Sequence, residues 1–193
     1  MRASRYYVTV ACLSAAFALP PAYAELGRTA TPEEISGWNI DISPSGIGLP
    51  KTHGTVAEGE KIYQNACMSC HGVNLEGGLG PALVGGKDTL ASSKPLKTVG
   101  SYWPYATTLF DYIRRAMPFQ APQTLSNEDV YSVTGFILHK NGLMPATATV
   151  DGTTLTNLSM PNRNSFYVDD RPDVKNERCM KNCLRTTASK ATK

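Results

Sequence analysis

Residues 67–71 read Cys-Met-Ser-Cys-His, and no other stretch constrains this chain so strongly. Two cysteines separated by two residues and followed at once by histidine form the attachment signal of a c-type haem. Each thiol can add across one vinyl group of a porphyrin, and a single turn of backbone lets both reach. The next residue, His71, then lies under the iron, where its imidazole supplies the proximal axial ligand. The competing readings are a chance Cys-x-x-Cys or a redox disulfide of thioredoxin type. His71 and its surroundings favour one covalent haem c.

The iron needs a sixth ligand or an open position. Met117, Met144 and Met160 each precede a proline. Met117 is the preferred ligand, because a loop stiffened by Pro118 and Pro122 can hold a thioether against iron. A Met/His pair raises the reduction potential and suits electron transfer. The alternatives stay open: Met117 as core filler, Met144 or Met160 as ligand, or a histidine such as His53 or His139.

Helical signals surround the motif. Thr55 and Glu58 form a capping-box pattern ahead of a helix predicted over residues 56–66. Its interior Gly59 costs about 1 kcal/mol against alanine, so close approach of another helix is expected, with Tyr63 on the same face. A helix over Thr107–Ala116 carries Leu109, Ile113 and Ala116 on one side and ends before Met117-Pro118. Ser126 opens a last helix with Val130, Val133, Phe136 and Ile137 as its apolar side, closed by Asn141-Gly142. Gly135 and Phe136 offer the surface expected to receive Gly59 and Tyr63.

Between these helices, Gly72 to Gly86 form a glycine-rich loop with no Gly-Lys-Ser/Thr, so it is not a phosphate cradle. It suits close wrapping around a flat group, with Leu83 and Val84 facing the porphyrin. Tyr102, Trp103 and Tyr105 suit the edge of the haem pocket, where polar tips can meet propionates; ordinary loop packing is the competing reading.

The ends are read separately. Arg2 and Arg5, the apolar run Val8–Leu19 and Ala22-Tyr23-Ala24 make residues 1–24 an expected signal peptide, cleaved after Ala24. The run is short for a bilayer span, which needs about 20 apolar residues. Export implies a periplasmic protein. Without residues 1–24 the 19 basic residues lose two and the 16 acidic ones lose none, leaving a net charge of +1. That balance excludes a nucleic-acid footprint. Residues 25–54 read as an N-terminal arm, in which Trp38, Ile40, Ile42 and Ile47 pack onto the core or the arm stays loose. Residues 55–142 form the predicted domain and 143–193 a C-terminal extension. Cys179 and Cys183 lack a following histidine, so in an oxidising compartment they are expected to form a local disulfide.

The order of these features over about residues 55–142 resembles class I cytochrome c, an all-α fold of three to five helices around one covalent haem. That resemblance implies that the Pro81 carbonyl orients His71, that Leu83 covers the ring, and that Met117 is the distal ligand. It also implies that Gly59 and Phe136 mark the crossing of the first and last helices. A narrower resemblance rests on Gly37-Trp38-Asn39-Ile40-Asp41, on residues 98–106 (Thr-Val-Gly-Ser-Tyr-Trp-Pro-Tyr-Ala) and on residues 111–118 (Asp-Tyr-Ile-Arg-Arg-Ala-Met-Pro). Met160-Pro161-Asn162-Arg163 and Asp170-Arg171-Pro172-Asp173-Val174 extend it. These segments are similar to the cytochrome subunit of the Sox sulfane dehydrogenase and to cytochromes paired with molybdenum sulfite dehydrogenases. The family archetype is longer and carries two haems; this chain has one Cys-x-x-Cys-His.

The resemblance implies a non-catalytic electron-transfer subunit. It would take electrons from a molybdopterin-containing dehydrogenase subunit and pass them to a downstream cytochrome or oxidase. A freely diffusing carrier is the alternative. A haem enzyme or gas sensor ranks last, because the sequence offers no acid–base constellation beside the haem motif.

Overall fold

A computed structural model describes residues 27–168, which fall into two units, one ending at Asn39 and the other starting at Ile40. The expected signal peptide and the Cys179/Cys183 pair lie outside the described residues. Among those residues no helix is long and apolar enough to cross a membrane.

The first unit contains helix α1, Pro32–Trp38, where no helix was predicted. Thr31 caps it: its hydroxyl accepts from the Glu34 N–H, while the Glu34 carboxylate accepts from the Thr31 N–H. Of the apolar residues read in the N-terminal arm, Ile42 is buried in the core of the second unit, while Trp38 and Ile47 are strongly exposed, each within its own unit. Trp38 sits on a helix with no buried residue, and Ile47 in a turn.

In the second unit, strand β1 (His53–Thr55) leads directly into α2 (Val56–Ala66), then the single turn α3 (Met68–His71). Helix α4 (Ala106–Ala116) and helix α5 (Asn127–Lys140) follow, then β2 (Thr149–Asp151) and α6 (Gly152–Asn157). The fold is helical, with four helices inside residues 55–142. Among the described residues a small two-stranded sheet pairs β1 and β2 antiparallel, with Gly54 opposite Val150.

Helices α2 and α5 cross at Gly59, and the reason is steric. A Cβ there would collide with the Ser132 carbonyl and lie 2.9 Å from the Phe136 Cβ. One turn on, the Tyr63 and Phe136 rings meet at 5.3 Å between centroids, a contact worth about 1 kcal/mol beyond burial. Gly135 has a different partner from the one expected: it faces Val56 and Val150. The Thr55 cap also differs from its pattern. Its hydroxyl accepts from the Glu58 N–H, but its own N–H donates to Ser132 Oγ on α5.

Segments flanking the helices enter the same core. Asp111 on α4 is buried and accepts the Ile42 N–H at 2.9 Å, while Tyr131 on α5 donates to the Pro50 carbonyl at 2.9 Å. On the other side, Met144, Val150, Leu155 and Met160 are all buried. Residues 143–162 are therefore packed structure rather than loose chain.

Candidate haem site

Helix α2 ends at Cys67, which also starts α3, so the two cysteines stand one turn apart on a continuous helical path. The Cys70 and His71 N–H groups both donate to the Cys67 carbonyl, at 3.1 and 3.0 Å. Burial pushes the Cys67 thiol up to about 11, so it is protonated at neutral pH. Tyr63 braces the turn from behind. Its hydroxyl donates to the Gly72 carbonyl at 2.6 Å, and burial raises its pKa to about 12.

His71 is held by the loop that follows. Its Nδ1 lies 2.8 Å from the Pro81 carbonyl oxygen. A carbonyl only accepts, so Nδ1 carries the proton and the Nε2 lone pair is free for a metal. Gly80 packs flat on the imidazole: a Cβ there would lie 2.9 Å from Cε1 and 3.0 Å from Nδ1. The loop is fastened at three further points. The Gly80 N–H donates to the Cys70 carbonyl at 2.8 Å, the Gly77 N–H to the His71 carbonyl at 2.8 Å, and the Leu83 N–H to the Leu75 carbonyl at 2.8 Å. Leu75 is fully buried at positive φ (64°), which shows that the tight turn serves the packing.

Met117 caps the C-terminus of α4 and is half-buried against the core. Its loop returns to the cysteines, since Gln120 Nε2 lies 3.9 Å from Cys70 Sγ. Met144 and Met160 are instead buried within the core cluster. Leu83 and Val84 are half-buried against the same core as Cys67, Met68, Trp103 and Met117. The Leu83 carbonyl accepts from Asn141 Nδ2 at 3.1 Å, tying the loop to the end of α5.

Tyr102 and Trp103 occupy positions that their residue types did not define. Lys97 Nζ lies over the Tyr102 ring, and Phe166 meets that ring edge-on at 5.5 Å. The Tyr102 carbonyl accepts from Asn162 Nδ2 at 2.7 Å. Trp103 meets Tyr112 of α4 edge-on at 5.8 Å. The contacts of Tyr102 with Asn162 and Phe166 join residues 60 or more positions apart, which no local pattern signals.

The donor set suits a haem. Two thiols one turn apart, an imidazole with a free Nε2 and a glycine that makes room for the ring all fit covalent attachment through the 67–71 motif. Among the described residues no cluster of three or more His, Cys, Asp or Glu side chains offers a separate metal centre.

Comparisons with known proteins agree with this geometry. A profile of the family described as cytochrome c oxidase, cbb3-type, subunit III matches residues 54–137. A chain in the crystal structure of the sulfane dehydrogenase SoxCD from Paracoccus pantotrophus is 42% identical, with a TM-score of 0.72. That match covers 82% of this chain and 81% of the other. Cytochrome c-551 of Bacillus subtilis (strain 168) is 56% identical over 39 residues, 35% of that protein. The cytochrome c subunit of the menaquinol:cytochrome c reductase of Geobacillus thermodenitrificans is 69% identical over 32 residues, 13% of its length. The chain therefore spans well under half the length of these two curated relatives.

Fold and site define a c-type cytochrome that carries one covalently bound haem c and transfers electrons. Within that class, this chain belongs to the Sox-type cytochrome family represented in the SoxCD structure.

Proposed function

We propose that the chain is the periplasmic electron-transfer subunit of a molybdenum-dependent dehydrogenase of sulfane sulfur or sulfite. It takes electrons from a molybdopterin-containing subunit and passes them to a downstream cytochrome or oxidase. The observation that carries this reading is the 42% identity to a chain of a sulfane dehydrogenase over four-fifths of both chains.

The bound haem supplies a one-electron couple between ferric and ferrous iron. The residues provide the rest. Cys67 and Cys70 would hold the ring covalently. His71 would bind through Nε2, with its tautomer set by the Pro81 carbonyl. Leu83 would pack on the group, and the Met117 thioether would be its second protein ligand, which would hold the potential high. Trp103 would shield the pocket edge and Tyr102 would hold the neighbouring loop in place.

Complex formation tests the proposal. The tagged holo-cytochrome is expressed with a candidate molybdenum dehydrogenase and purified at low and high salt. Co-elution of molybdenum and haem in fixed ratio is expected. Elution of the cytochrome alone under both conditions would favour a freely diffusing carrier.

A further inference from the structure

Two side-chain donors from different parts of the fold hold alternate carbonyls of one short stretch, residues 83–85. Asn141 caps the C-terminus of α5, and its Nδ2 donates to the Ile137 carbonyl at 2.8 Å and to the Leu83 carbonyl at 3.1 Å. Thr98 Oγ1 donates to the Gly85 carbonyl at 2.7 Å. A helix end leaves its last carbonyls without intrahelical partners, so the bond to Ile137 serves α5 itself. The bond to Leu83 is more than capping requires.

Segment 98–101 organises both ties. Thr98 and Ser101 are buried and bound to each other: the Thr98 N–H donates to Ser101 Oγ at 2.9 Å, and Ser101 Oγ donates to the Leu96 carbonyl at 2.7 Å. Between them stands Gly100, where a Cβ would collide with the Asn141 amide oxygen, so glycine admits that side chain.

The held stretch lies at the haem site. Leu83 follows Pro81, whose carbonyl holds His71, by two residues. Leu83 and Val84 are half-buried against the same core as Cys67 and Met117. With the Leu83 N–H on the Leu75 carbonyl and the Leu83 and Gly85 carbonyls tied, the backbone here is fixed on both edges. The apolar shell around a metal site controls water access and local dielectric, and through them the reduction potential. Water favours the more charged ferric state, so a loosened shell lowers the potential.

We infer that Asn141 and Thr98 are positioning residues for electron transfer. Acting through the Leu83 and Gly85 carbonyls, they hold Leu83 and Val84 on the haem and keep its potential up. The inference rests on the haem site and not on the identity of the electron donor.

The test compares full-length holo-cytochromes: wild type, Asn141→Leu, Thr98→Val and Thr98→Ser. All three substitutions are uncharged, so none moves the potential by adding a charge. Asn141→Leu and Thr98→Val keep the side-chain shape but cannot donate, whereas Thr98→Ser keeps the hydroxyl and loses a methyl. Potentiometry is read together with the red-region ferric band of a thioether ligand and with amide hydrogen exchange over residues 83–86. Asn141→Leu and Thr98→Val should shift the potential downward with the band retained and exchange quickened. Thr98→Ser should return the wild-type potential. If Asn141→Leu yields no haem-loaded protein, the Thr98 pair still decides: a lower potential for Thr98→Val than for Thr98→Ser supports the inference, and equal potentials overturn it. Wild-type potentials in both donor-less variants overturn it even if exchange quickens or the melting temperature falls, because the contacts then serve the fold alone. Loss of the band in the variants would move the effect to the thioether ligand and overturns it too. None of these outcomes bears on the dehydrogenase partner, which the co-elution experiment decides.

Discussion

The Nδ1 atom of His71 and the carbonyl oxygen of Pro81 are 2.8 Å apart, and this one contact places a ring proton on Nδ1. A Cβ at residue 80 would lie 2.9 Å from Cε1 and 3.0 Å from Nδ1, so glycine there leaves the ring room to make this contact. Gly80→Ala places a methyl within about 3 Å of the ring. The expected outcome is a tilted imidazole, a shifted reduction potential and a lower yield of haem-loaded protein. Potentiometry of the purified variant checks it. A wild-type potential would mean that the loop simply yields.

Met117→Ala should keep the covalent haem, because Cys67 and Cys70 are untouched. It should lose the red-region charge-transfer band between thioether sulfur and ferric iron, and its potential should fall. Absorption spectroscopy of the ferric form reads this directly. An unchanged spectrum would transfer the ligand role to another side chain.

Gly59→Ala tests the helix crossing. The added methyl meets backbone, the Ser132 carbonyl, and backbone cannot rotate away as a side chain can. Helices α2 and α5 must separate, at a cost of roughly 3 kcal/mol. Thermal unfolding followed by circular dichroism should show a drop of about 6–12 °C. A drop under about 2 °C would show that the crossing is loose.

Much of this was legible because its signals are local. Ser126 and Asp129 cap α5 reciprocally, as their spacing suggested, and α2 and α4 fall within a residue of their predicted spans. The Cys-x-x-Cys-His motif carries its own chemistry. What was not legible is non-local. Strand β2 pairs with β1 across almost one hundred residues, and nothing in the Thr- and Asn-rich run near Thr149 announces a buried Val150. Ser132 takes the Thr55 N–H that the capping pattern assigned to Glu58. Helix α1 is a different case: Thr31-Pro32-Glu33-Glu34 is a readable start signal. It went unread because seven residues are too few to show an apolar period.

The rim around Cys70 makes another prediction. Val73, Leu79 and Phe119 are 69%, 92% and 79% exposed. The Gly80 N–H bond to the Cys70 carbonyl and the approach of Gln120 to its sulfur bring two of the rim's loops to this edge. Apolar burial contributes about 25 cal/mol per Å² and is not screened by salt. Phe119→Glu should therefore slow haem reduction by the partner while leaving the haem spectrum intact. Stopped-flow reduction rates for the two proteins settle it, and equal rates would place docking on another face.

The central claim is that electrons from a sulfur compound reach this haem through a molybdenum dehydrogenase. Rapid mixing of the ferric cytochrome with that dehydrogenase, followed by sulfite or a sulfane-sulfur donor, tests it most directly. The account predicts ferrous haem forming at a rate that depends on both enzyme and substrate, saturates with enzyme, and falls only weakly as salt is raised. Haem that stays ferric with active dehydrogenase and excess substrate would contradict it.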